Sequence, residues 1–216
     1  MGRLSEVEVG ARSEGFHFVA GLDEVGRGCL AGPVYAGAVV LDPARMVLGL
    51  DDSKKLSARV REALAPRIVA AAVGMAVGAA TPAEIDGLGI ARATELAMRR
   101  ALEGLRGSGV EPDLLLIDAV ALPGAGAEQR SIVGGDGRIA AIAAASIVAK
   151  VARDHHMGRL HLLYPHYGFD RHKGYGTPAH LAALRRHGPS VVHRLTFDGV
   201  LAPPSGPARA RSGRAA

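Results

Sequence analysis

The order of its segments predicts an α/β protein: a mixed sheet flanked by helices, with a small helical section from about residue 164. Three observations carry this. Two apolar runs, one leading into Asp23 and Glu24 and one, rich in β-branched residues, spanning Val34–Leu41, lie either side of a glycine-rich turn and read as hairpin-like strands. A continuous apolar run, Leu114–Ile117, bounded by Asp113 and Asp118, reads as a fully buried central strand. Residues 139–163 then form a helix dominated at its start by alanine, small enough to pack close against that sheet.

The first strand runs into Asp23-Glu24-Val25-Gly26-Arg27-Gly28. Asp and Glu are depleted from strands and unpaired charges are rarely buried, so two adjacent carboxylates there need a positive partner. A hydrated Mg²⁺ or Mn²⁺ suits them, because these hard cations take oxygen ligands and keep several waters. Neighbouring strand side chains point to opposite faces, so Asp23 and Glu24 share a site only if the chain bends where the strand ends. Gly26 and Gly28 permit such a bend. Gly26 to Ala31 also match a dinucleotide-binding fingerprint, but that motif needs a helix to follow and here Pro33 and a second strand do.

Residues 51–56 form a polar loop carrying Lys54 and Lys55, and Ser57 is placed to cap a helix running to about Ala72, disturbed at Pro66. Residues 73–80 read as a strand of small side chains. Thr81-Pro82-Ala83-Glu84 is a capping box with proline at the first helical position. Residues 90–105 are amphipathic, with Leu96 and Leu102 on the apolar side and Glu95 placed to pair with Arg99. Asp118 falls at the carboxyl end of the central strand, where ligands bind in α/β sheets. After a glycine- and alanine-rich loop over 119–130, residues 131–133 read as a short strand leading into Gly134-Gly135-Asp136-Gly137. On the long helix, Asp154 stands four residues after Lys150, as a partner for it or as a carboxylate behind the site. His155, His156, His161 and His166 fit no standard metal-ligand spacing and read as ordinary polar histidines. Residues 169–177 interleave Arg171, His172 and Lys173 with Tyr175 between glycines, a pattern suited to phosphates and to stacking on bases or sugars. Thr177 and Pro178 begin a helix to about His187.

Composition bounds the class. With 48% hydrophobic and 22% charged residues the 216-residue chain is globular rather than disordered. It divides into an extension over 1–15, a single body over 16–200 and a basic tail over 201–216. No apolar run approaches the ~20 residues of a membrane helix, and the first fifteen residues lack the apolar core of a signal peptide, so a cytoplasmic monomer with no membrane partner is expected. The single cysteine, Cys29, forms no internal disulfide and reads as a small packed residue. Of the net charge of +5, much comes from Arg209, Arg211 and Arg214 in the tail, so overall charge excludes little.

Five blocks in order resemble the bacterial ribonuclease HII family, type 2 ribonuclease H, over about residues 16–198. They are Asp23-Glu24-Val25-Gly26-Arg27-Gly28; Asp52-Ser53-Lys54-Lys55-Leu56; Leu116-Ile117-Asp118; Gly135-Asp136 followed by the run from Ala143 to Asp154; and His172-Lys173-Gly174-Tyr175-Gly176-Thr177. The eighteen-residue interval from Asp118 to Asp136 matches the family's spacing of its third and fourth acids. The resemblance implies a ribonuclease H fold and an endoribonuclease acting on RNA/DNA hybrids and on single ribonucleotides in duplex DNA. It implies that Asp23, Glu24, Asp118 and Asp136 hold two Mg²⁺ or Mn²⁺ ions for catalysis, with products bearing a 5′-phosphate and a 3′-hydroxyl. It further implies substrate contacts at Gly26, Arg27 and Gly28, whose backbone meets the 2′-hydroxyl, and at Lys54, Lys55, Ser146, Lys173 and Tyr175. Asp154 falls behind the site. Four gathered acids repel one another without metal, so at least one pKa is expected to rise. Two departures stand out: Gly134 where the family usually has lysine, and Leu195 and Thr196 where its closing motif has Arg and Ser. A junction-resolving nuclease of the same fold, or a non-catalytic nucleic-acid binder, are the alternatives.

Overall fold

The computed structural model describes residues 6–45, 47–118 and 121–201. Its centre is a five-stranded mixed sheet in the order β3-β2-β1-β4-β5. Strands β1 (Val19–Val25), β2 (Val34–Leu41) and β3 (Ala72–Ala80) form an antiparallel meander, and β4 (Leu114–Ile117) and β5 (Glu128–Ser131) add in parallel on the far side of β1. Helix α2 (Ala58–Ala71) links β2 to β3, while α3 (Pro82–Leu88) and α4 (Ile90–Gly107) link β3 to β4. Helix α5 (Ala140–Leu163) follows β5, and the short α6 (Phe169–His172) and α7 (Pro178–His187) build the C-terminal section.

The local signals act as the sequence implies. Ser57 accepts from the Val60 amide, and Thr81 and Glu84 make a reciprocal capping box. Glu95 and Arg99 pair at 2.8 Å. Helix α4 buries Ala93, Ala97, Met98, Ala101, Leu102 and Leu105, a stripe at helical spacing, against Ala20, Leu22, Ala36, Ala38 and Val40 on one sheet face.

The opposite face meets α5. Its run Ala140 to Ala145 lies so close that a Cβ on Gly21 would stand 2.1 Å from the Ala141 carbonyl carbon, and one on Gly37 would stand 2.4 Å from the Ala145 oxygen. Only glycine on the strands and alanine on the helix allow this approach, and it brings Ser146, the next residue, down onto β1.

One expectation needs correction. The short strand lies at Glu128–Ser131, not 131–133: it is a polar edge strand paired only with β4, so it carries no apolar run to read. Strand β1 carries the adjacent acids within its pairing. It pairs Asp23 with Gly37 and Glu24 with Ala36, and the turn comes only at Gly26, where φ is +90°. The first fifteen residues contain α1 (Glu6–Ser13), which packs Ala11 against Val19, Leu116 and Ile142. The expected tail lies, past Leu201, outside the described residues.

Candidate active site

Strand register places the first two acids. Leu22 and Ile117 are the last parallel pair between β1 and β4, and the Asp118 amide donates to the Leu22 carbonyl at 3.3 Å, so Asp118 stands level with Asp23. By the pleat, both side chains fall on the face that carries Val19, Leu114 and Leu116, the face covered by α5. Glu24 takes the other phase, yet at this end of β1 its charge still acts on Asp23. Asp23 is buried and accepts the Glu24 amide at 2.8 Å. Burial pushes its pKa up to about 7; a hydrogen bond from Ser146 opposes the rise, and the charges of Glu24 and Asp118 add to it.

The third and fourth acids are joined through the backbone. Oδ1 of Asp118 accepts the Gly134 amide at 2.9 Å and the Gly135 amide at 3.4 Å. That fixes the 3-10 turn Gly135–Gly137, which carries Asp136 at the entrance to α5. Gly134 sits in the left-handed region, φ 67° and ψ 33°, which glycine adopts freely. Asp136 is buried, and burial together with the charges of Asp52 and Asp118 raises its pKa. Lys54 opposes this, with Nζ 3.4 Å from Oδ2 of Asp136, and feels Asp23 and Asp52 as well. Lys55 sits beside it, 3.7 Å from Asp51.

Around the acids runs a rim of loops. Arg27 pairs with Glu24 at 3.3 Å, its side chain partly exposed. The Leu30 amide donates to the Gly174 carbonyl at 2.8 Å, tying the Gly26-Arg27-Gly28 turn to the loop that bears Lys173 and the exposed Tyr175. Lys173 has φ 52° and its Nζ donates to the Asp170 carbonyl. Ser146 is the residue of α5 that meets the acids. It is buried, hydrogen-bonded to Asp23 and sharing a 2.8 Å hydroxyl contact with Ser53, so it supports an acid from beneath. Asp154 pairs with Lys150 at 2.5 Å and with Arg61 at 3.5 Å. His155 pairs with Glu62 at 2.9 Å, and His156 packs on the Tyr35 ring at 5.8 Å.

Two residues that sequence reasoning missed are buried arginines. Arg153 donates to the carbonyls of Ala31, Pro33 and Lys173, and Arg194 to those of Gly26, Arg27 and Gly32. Both are 0% exposed. The place a Gly26 Cβ would take is 2.2 Å from Arg153 Nε, so position 26 requires glycine for space as well as for φ.

The donor set fits a hard divalent cation. All four candidate ligands are carboxylates, they are electrostatically linked in the chain Glu24, Asp23, Asp118, Asp136, and an ammonium already leans on one of them. Among the described residues no three His, Cys, Asp or Glu side chains are drawn together as a finished ligand cage. A cavity of about 480 Å³ lined by Val9, Arg12, Leu41, Val47 and Leu50 contains none of the acids.

Acids at the ends of the central strands of this mixed sheet, with a basic glycine-rich rim beside them, are the arrangement expected of a nuclease of the ribonuclease H fold. Residues 20–200 match the family model described as Ribonuclease HII. A ribonuclease HII of Desulfitobacterium hafniense is 57% identical over 187 residues, 86% of this chain and 70% of that protein. Ribonuclease H2 from Pyrococcus horikoshii superposes with a TM-score of 0.73 at 26% identity, over 85% of this chain and 95% of that one. The structure of the PCNA:RNase HII complex from Archaeoglobus fulgidus gives 0.71 at 25% identity, over 84% and 95%. The chain belongs to the ribonuclease HII family, and is a metal-dependent ribonuclease H endoribonuclease that acts on nucleic acid. Among the described residues no helix is long and apolar enough to cross a membrane.

Proposed function

We propose that the enzyme cleaves the RNA strand of RNA/DNA hybrids and single ribonucleotides embedded in duplex DNA, leaving a 5′-phosphate and a 3′-hydroxyl. The observation that carries this is geometric: the buried Asp23 stands level with Asp118, which holds the turn bearing Asp136, close to a glycine turn whose Arg27 and Gly28 amides have no protein partner among the described residues. A buried carboxylate repelled by two others is in place for a cation that its own chain does not provide in full.

Asp23, Glu24, Asp118 and Asp136 would hold two Mg²⁺ or Mn²⁺ ions, which when bound supply an activated water and neutralise the leaving 3′ oxygen. The chain's own groups do the rest. Ser146 holds Asp23 from below, and Asp118 holds the turn that presents Asp136. Lys54, Lys55 and Lys173 offer charge to the phosphates, and Tyr175 offers a ring to the sugar beside the scissile bond. The main chain of Gly26, Arg27 and Gly28 meets the 2′-hydroxyl, the group that separates ribose from deoxyribose. Asp154 acts behind the site, on Lys150 and Arg61. The enzyme works in this reading as a cytoplasmic monomer.

One assay tests it. The protein is incubated with Mg²⁺ or Mn²⁺ and a DNA duplex carrying one ribonucleotide, beside an RNA/DNA hybrid, an all-DNA duplex and a branched junction. Cutting confined to the ribose-containing strands is expected. Cutting of the all-DNA duplex or junction at comparable rates would move the enzyme to a structure-specific DNA nuclease, and no cutting to a binding protein.

A further inference from the structure

The Gly26-Arg27-Gly28 turn is held from inside the protein by a residue about 170 positions later in the chain. Nη2 of Arg194 lies 2.7 Å from the Gly26 carbonyl, Nη1 lies 2.7 Å from the Arg27 carbonyl, and Nε lies 3.0 Å from the Gly32 carbonyl. The guanidinium is fully buried, and no carboxylate pairs with it among the described residues. Its hydrogen bonds are spent on backbone alone.

This has a geometric consequence. In a planar trans peptide the C=O and the N–H point in opposite directions. With the Gly26 and Arg27 carbonyls turned inward to Arg194, the amides of the same two peptide units, those of Arg27 and Gly28, are turned outward. Neither amide has a protein partner among the described residues. The turn therefore shows a ligand two adjacent N–H donors, and its inward carbonyls are already taken.

Arg194 is itself firmly seated. Its amide donates to the Leu30 carbonyl at 2.9 Å, its guanidinium lies 5.0 Å from the Phe197 ring centroid, and Asp86 accepts the next two amides, of Leu195 and Thr196, at 2.9 and 3.0 Å. Burial lowers its pKa to about 10, which leaves it charged at neutral pH. A planar fork with five donors can serve three carbonyls at once; a lysine ammonium on a flexible stem cannot reproduce that spread.

We infer that Arg194 is a positioning residue for ribose selection: by fixing the Gly26 and Arg27 carbonyls inward, it aims the Arg27 and Gly28 amides at the acceptor oxygen of the 2′-hydroxyl. This rests on the ribonucleotide-cleaving reading above. A residue that only held the fold together would, on removal, slow every substrate alike. Loss of Arg194 instead removes the preference for ribose and spares binding to the phosphate backbone.

The test uses the full chain with Arg194→Met, which keeps the apolar stem, and Arg194→Lys, which keeps the charge. Cleavage is followed on duplexes with and without a single ribonucleotide, and binding to the all-DNA duplex is followed by fluorescence anisotropy. The preference for the ribonucleotide duplex should fall about tenfold or more in Arg194→Met and by an intermediate factor in Arg194→Lys, with all-DNA binding within twofold of wild type. Hydrogen exchange at the Arg27 and Gly28 amides, measured without substrate, should change in both variants. If wild type selects ribose and both variants select it equally well, the inference is overturned while the function stands. If wild type itself shows no selection, the function falls and takes the inference with it. Should Arg194→Met not fold, Arg194→Lys alone decides between these outcomes.

Discussion

The Gly134 amide donates to Oδ1 of Asp118 at 2.9 Å, so one of the four acids holds the turn that presents another. The two roles of Asp118 are separable, because accepting an amide proton needs an oxygen and holding a cation needs a charge.

Asp118→Asn should therefore abolish turnover while leaving the fold intact, since the asparagine oxygen can still accept from Gly134 and Gly135. Asp118→Ala should lose activity and in addition about 1–3 kcal/mol of stability, as two amides go unmet. Steady-state cleavage beside a thermal melt distinguishes the two; wild-type rates in Asp118→Asn would remove this residue from the site.

Asp23 gives a stability prediction that needs no substrate. Its folded pKa of about 7 lies above the ordinary 3.8, so the folded protein keeps a proton that the unfolded chain gives up as pH rises from about 4 to 7. Stability from this group is present below pH 4 and lost as pH rises to 7. Without divalent ions, Asp23→Asn should thus be inactive yet more stable than wild type at pH 8, by on the order of a few kcal/mol, with the gain vanishing near pH 4. Equal melting temperatures at pH 8 would contradict it.

Gly134 invites the residue its family usually has. A Cβ there would meet nothing within 4 Å, so only the left-handed backbone resists a side chain. Gly134→Lys should cost about 1–2 kcal/mol, several degrees of melting temperature, and leave cleavage within severalfold of wild type. A collapse of activity would show that the space is not open in the working enzyme.

His193 predicts the acid limb. His180 and His193 are buried with Nε2 atoms 3.1 Å apart; the Tyr175 carbonyl lies 2.9 Å from His180 Nδ1, and the Ser190 amide donates to His193 Nδ1. Neutral rings satisfy this chain in one tautomer set, His193 donating to His180 and His180 to Tyr175. Burial, and then the neighbouring His180, lowers the His193 pKa from 6.5 to about 4. The unfolded chain takes up a proton first, so stability falls as pH drops from 6.5 towards 4. His193→Gln should flatten that part of the pH–stability curve in denaturant melts, and an unchanged slope would argue against the assignment.

What was legible in the sequence was local. The capping residues Ser57 and Thr81, the central strand 114–117 and the close helix after it declare themselves through spacing, and Asp23, Glu24, Asp118 and Asp136 through acids at strand ends or in glycine turns. The edge strand at 128–131 was not legible, because a strand paired on one side and half-covered has no reason to be apolar. Nor were Arg153 and Arg194, whose partners are carbonyl groups. Every residue offers a backbone carbonyl, so no side-chain pattern marks which will be met. The burial of Ser146 was hidden for a related reason: it depends on Gly21 and Gly37 letting a helix descend between them.

Glu8 reaches from α1 to accept the amides of Ala140 and Ala141, at 3.2 and 3.0 Å, where α5 begins. The family model matches from residue 20, well after it. A gene trimmed to the recognisable part would thus discard the stopper on the helix that underlies the whole catalytic floor. The span that the family model matches and the span that the architecture leans on have, in this enzyme, two different borders.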